Sequence, residues 1–97
     1  MKLQLQTYTI NKGALAEWTE EWRTQLVPLR EKHGFKVLEA YTVASSNQFV
    51  WLMGFEGENW QAADQAYFES NERKTMQPDP ARLIANMENV FVDKIKF

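Results

Sequence analysis

One short stretch constrains this chain more than any other. Phe49-Val50-Trp51-Leu52-Met53-Gly54-Phe55 contains no polar side chain. An extended chain sends Phe49, Trp51, Met53 and Phe55 to one side and Val50, Leu52 and Gly54 to the other. Such a strand is apolar on both faces, so both faces need cover. The turn signal Ser45-Ser46-Asn47 precedes it, which bounds a strand over Gln48 to Glu56.

The rest of the chain supplies the cover for one face. Leu3 to Ile10 alternates with a period of two and is rich in β-formers, which predicts a first strand broken by Asn11-Lys12-Gly13. From Ala14 the period becomes helical. Leu15, Trp18, Trp22, Leu26, Leu29 and His33 fall within roughly an 80° arc at about 100° per residue. Pro28 interrupts this helix by removing a donor and crowding the Thr24 carbonyl, so a kink is expected there. Gly34 ends the helix in the left-handed region. Phe35 to Ala44 reads as a second strand, forming a hairpin with the third. Asn59 caps a second helix with a Trp60, Ala63, Tyr67 stripe. A short helical turn is expected over Glu72 to Met76, another with Asp79 as cap and Pro80 at its first position, and a last strand over about Glu88 to Phe97.

The order β-α-β-β-α-β predicts an α+β, ferredoxin-like domain: four antiparallel strands with two helices on one face. The 97 residues fit this single domain, and a chain so small gains from burial by oligomerisation. The second face of the third strand therefore predicts a homodimer, sheet against sheet. The plainer alternative has Phe49, Trp51, Met53 and Phe55 facing the helices, with Val50 and Leu52 merely half exposed.

Net charge is −2 without a basic stripe, so no nucleic-acid footprint is present. No cysteine means no disulfide, thiol nucleophile or thiolate metal site. The start of the chain does not read as a signal peptide, and no apolar run reaches membrane-spanning length. A cytoplasmic protein with no membrane partner is the default expectation.

The residues resemble the NIPSNAP family of the dimeric α+β barrel superfamily over nearly the whole chain. The carriers are Leu5-Gln6-Thr7-Tyr8-Thr9-Ile10 with Gly13 and Leu15, then Val27-Pro28-Leu29-Arg30-Glu31-Lys32-His33-Gly34, then Asn47-Gln48-Phe49-Val50-Trp51-Leu52, then Ser70-Asn71-Glu72-Arg73 with Pro78-Asp79-Pro80. The resemblance implies a homodimer but no single reaction. Relatives sharing the barrel include cofactor-independent monooxygenases and haem-degrading proteins, so catalysis enters by analogy alone. Where the family's first strand often has an acid and an arginine before its tyrosine, this chain has Gln4 and Gln6 before Tyr8. Where a third-strand histidine is frequent, it has Trp51. The first change suits a neutral cavity, and the second removes a titratable candidate.

The chemistry-bearing candidates are few. His33, the sole histidine, is placed as a general base at a pocket mouth or, more plainly, as a packing residue at the helix C-terminus. One histidine without an acidic cluster at ligand spacing predicts no metal. Tyr8, Trp51 and Met53 are expected on the face that meets the second copy, with Tyr41 joining from the neighbouring strand. Trp18 and Trp22 either wall a ligand site or form helix core. Arg30 and Arg73 read as anion ligands at a rim or as surface partners of Glu31 and Glu72. No flavin or other cofactor site is visible. The favoured expectation is a dimer that binds a small apolar or aromatic molecule between sheet and helices. The two others are an oxygenase using His33 and Tyr8, and a structural module with a solid dimer interface.

Overall fold

The computed structural model describes residues 1–97. Four strands, β1 (Lys2–Ile10), β2 (Phe35–Val43), β3 (Gln48–Phe55) and β4 (Ile84–Val92), form one antiparallel sheet in the order β2-β3-β1-β4. The doubly apolar β3 and the alternating β1 take the two central positions. Gln6 pairs with Trp51 on one side and Asn89 on the other, and Tyr8 pairs with Phe49 and Met87. Every second residue of β1 and β3 therefore shares one face.

The first helical segment is α1 (Leu15–Glu21), a π-helical stretch over Trp22–Leu26, and α2 (Val27–Lys32). Pro28 accounts for the π stretch. Its ring would meet the Thr24 carbonyl in a regular helix. Widening the preceding turn relieves that contact, and the Val27 N–H bonds back to the Trp22 carbonyl. The expected kink thus takes the form of one extra residue per turn. Gly34 follows at φ 90°, as the left-handed cap requires. The second helical segment is α3 (Trp60–Glu69), with the Asn59 side chain accepting from the Ala62 N–H at 3.0 Å. A short α4 (Asn71–Lys74), capped by Ser70, and a 3-10 turn over Pro80–Leu83, capped by Asp79, lead into β4.

Both helical segments cover the same sheet face. Trp22 lies edge-on to Phe49 and Trp51 at 4.8 and 5.5 Å between ring centres, and Trp18 lies edge-on to Phe49 at 5.9 Å. Phe35, Phe49 and Met53 are almost wholly enclosed beneath them. This corrects one expectation: Tyr8, Trp51 and Met53 face the helices and not a second copy. The plainer alternative describes β3, since Val50 and Leu52 on the other side are half-buried in the single chain. Leu3, Leu5, Val90 and Val92 lie with them. The last strand is also corrected, beginning at Ile84 and ending at Val92. No helix is long and apolar enough to cross a membrane.

Candidate ligand-binding site

Alternation along β1 puts Gln4, Gln6 and Tyr8 side by side beneath the helices. The Tyr8 hydroxyl donates to Gln6 Oε1, and Gln6 Nε2 donates to Gln4 Oε1 at 2.7 Å. Gln6 and Tyr8 are buried, so this chain is a polar track laid through the core. Trp18 from α1 and Trp51 from β3 flank Tyr8 edge-on, at 5.4 and 6.3 Å. Burial pushes the Tyr8 hydroxyl up to about 12, only partly offset by the nearby Trp51 indole and the Arg30 charge. It is therefore a neutral donor at physiological pH.

A cavity of about 110 Å³ opens over this track, walled by Tyr8, Trp18, Trp51, Arg30 and Arg73. Its mouth lies toward β4, where the rim residues Phe68 and Met87 are about half exposed. The position follows from topology: β4 is an edge strand, and its helix-facing residues Met87, Asn89 and Phe91 are incompletely covered.

Arg30 is the most unusual group at the site. It is 4 % exposed, although the sequence reading put it on the surface. Its Nη1 donates to Asp64 Oδ1 at 2.7 Å, and its guanidinium lies 3.7 Å from the centre of the Tyr67 ring. A planar, weakly hydrated cation tolerates burial when paired and stacked in this way. Burial raises the Tyr67 hydroxyl as well, against the opposing charges of Arg30 and Arg73. Arg73 pairs with Asp79 at 3.0 Å, and Lys32 takes Glu72, so neither arginine has the partner expected of it.

The expected site residues divide into two groups. Tyr8, Trp18 and Trp51 meet at the cavity, while Trp22 and Met53 lie in the core beside it. Tyr41 is corrected: it sits on the opposite sheet face, 57 % exposed, donating to Glu39. His33 is corrected too. It packs edge-on against Tyr67 at 5.9 Å, follows the last residue of α2, and does not line the cavity. Asp64 was missed, yet it stands at i+4 from Trp60 and so shares the buried stripe of α3. No three His, Asp or Glu side chains converge on a position that could hold a metal.

The NIPSNAP family model matches residues 3–97. The chain is a member of the NIPSNAP family. Among solved structures, an uncharacterised NIPSNAP domain protein from Burkholderia xenovorans has a TM-score of 0.85 at 16% identity, covering 100% of this chain and 97% of that one. A NIPSNAP family protein from Agrobacterium tumefaciens has a TM-score of 0.83 at 15% identity, covering 99% and 94%. A putative antibiotic biosynthesis monooxygenase from Nitrosomonas europaea shares the fold at a TM-score of 0.69 and 13% identity, covering 99% and 100%. No curated protein matches the sequence. In this NIPSNAP protein Gln4 and Gln6 form the cavity floor, so the site gains hydrogen-bonding capacity without buried charge on β1.

Proposed function

We propose that this NIPSNAP protein is a homodimer that binds a small molecule of apolar or aromatic character between its sheet and helices. The observation that carries the reading is the cavity itself. A native interior is packed to crystal-like density, and voids larger than a water molecule are few. This one combines aromatic walls, a polar floor and a mouth, which is the make-up of a ligand pocket. Two of the protein's four tryptophans wall it, so a bound molecule should quench or shift their emission. A broad panel of aromatic compounds that left the emission unchanged would remove the reading.

Binding is favoured over catalysis for a reason specific to the site. His33 lies elsewhere, Tyr8 holds its proton, and the one carboxylate in the cavity wall, Asp64, is engaged by Arg30. An oxygenase reading therefore has the fold in its favour and no free base.

The dimer would form through the face opposite the helices, where Leu3, Leu5, Val50, Leu52 and Val90 form an apolar sheet surface. Light scattering should then give a mass of about 23 kDa, twice the 11.4 kDa chain. A monomer at micromolar concentration would contradict it.

A further inference from the structure

The buried polar atoms around the cavity are unbalanced. Nε1 of Trp18 is buried and meets no acceptor, while Nε1 of Trp51 and Nε of Arg73 are buried without a well-formed hydrogen bond, the indole lying against the Tyr8 hydroxyl and the guanidinium against that of Tyr67. All three side chains line the cavity, and Trp18 and Trp51 are 1 % and 2 % exposed. Each orphan atom is a donor that cannot accept. Several of the side-chain oxygens in the cavity wall are already engaged. Gln6 Oε1 takes the Tyr8 proton, Gln4 Oε1 takes the Gln6 amide, and Asp64 Oδ1 takes Arg30. Native interiors rarely leave buried donors uncompensated, and each exception calls for a cause. Two guanidinium groups, Arg30 and Arg73, also line the wall, each already paired with one carboxylate, Asp64 and Asp79. The Trp22 indole is also unpartnered, but it lies in the core outside the cavity lining.

We propose that the cavity selects a ligand that brings oxygen acceptors, a small organic carboxylate, to the Trp18 and Trp51 indole N–H groups and Arg73. The inference rests on the reading of this cavity as a small-molecule site and replaces the apolar or aromatic ligand with one that carries oxygen acceptors: a bare hydrocarbon would leave the buried donors unsatisfied. Size narrows it further. A cavity of roughly 150 Å³ holds benzene, so about 110 Å³ suits a ligand of no more than about six heavy atoms.

The test compares two probes of equal heavy-atom count, pyruvate and benzene, titrated into the uniformly ¹⁵N-labelled full chain. The readout is the indole N–H signals of Trp18, Trp22, Trp51 and Trp60. Pyruvate should shift the Trp18 and Trp51 signals, leave Trp60 in place, and bind at least about tenfold tighter than benzene. Trp51→Phe removes one donor and keeps a ring. It also enlarges the space for either probe, so the ratio of pyruvate to benzene affinity is the quantity to compare, and it should fall by about tenfold. Benzene binding as tightly as pyruvate would overturn the acceptor inference while the pocket stood. No shift with either probe to about 10 mM would overturn both the inference and the ligand-binding reading.

Discussion

Alkaline pH should destabilise this protein through Tyr8, and the size of the effect can be worked out. The phenol titrates near its ordinary 10 in the unfolded chain and at about 12 in the fold, because burial disfavours the phenolate. Between these values the native state keeps a proton that the unfolded state releases. Stability is therefore full below about pH 10 and falls as pH rises toward 12. Two pH units correspond to roughly 2–3 kcal/mol. Tyr8→Phe removes the titrating group, but it also leaves Gln6 Oε1 without its donor, at a cost of about 1–2 kcal/mol. The variant should thus be less stable than the parent near pH 8, equal to it near about pH 11, and more stable toward pH 12. Urea unfolding followed by far-ultraviolet circular dichroism across this range measures both curves. Tyr67, also raised by burial, titrates in both proteins and cancels in the difference. A gap that stayed constant through the alkaline range would refute the placement of Tyr8 in a dry core.

Other substitutions probe the surrounding structure. Asp64→Ala leaves Arg30 buried and unpaired, and should destabilise the fold by about 1–3 kcal/mol in denaturant unfolding, the half-exposed carboxylate keeping the loss below that of a fully buried pair. Asn59→Ala removes the cap of α3 and should lower stability by about 1 kcal/mol, while Asn59→Asp should restore most of it. Leu52→Asp should convert the proposed dimer to a monomer without changing tryptophan emission, because Leu52 lies on the face away from Trp18, Trp22 and Trp51; sedimentation and fluorescence on one sample decide it. Trp51→Asp places a charge among core rings and should instead prevent folding, seen as loss of far-ultraviolet signal.

The fold was legible because period and punctuation agreed along most of the chain. Asn59, Asp79 and Gly34 each stand where local backbone geometry demands a cap or a left-handed residue, and they do that work in the structure. The start of β4 was not legible. Ile84-Ala85-Asn86-Met87 lacks a clean alternation, and its pairing to β1 shifts register between Thr9 and Ile10. The face of β3 was not legible for a different reason. Both its faces are apolar, so alternation separates Trp51 from Leu52 without saying which meets the helices. That ambiguity carried Tyr8 and Met53 with it. At the cavity, the aromatic walls were readable from helical and strand spacing. The burial of Arg30 was harder to read, although it falls only about 40° from the edge of the apolar stripe. What decides its position is Asp64 and Tyr67 on another helix, and contacts between distant segments leave no local period.

The central claim is that a ligand-sized space exists beside Tyr8, Trp18 and Trp51. A high-resolution crystal structure of the protein, purified without added ligand, tests it most directly. The account predicts density in that space, from ordered water or a small molecule, within hydrogen-bonding distance of the Trp18 and Trp51 indole nitrogens. A closed space, with those nitrogens bonded to protein acceptors, would contradict it.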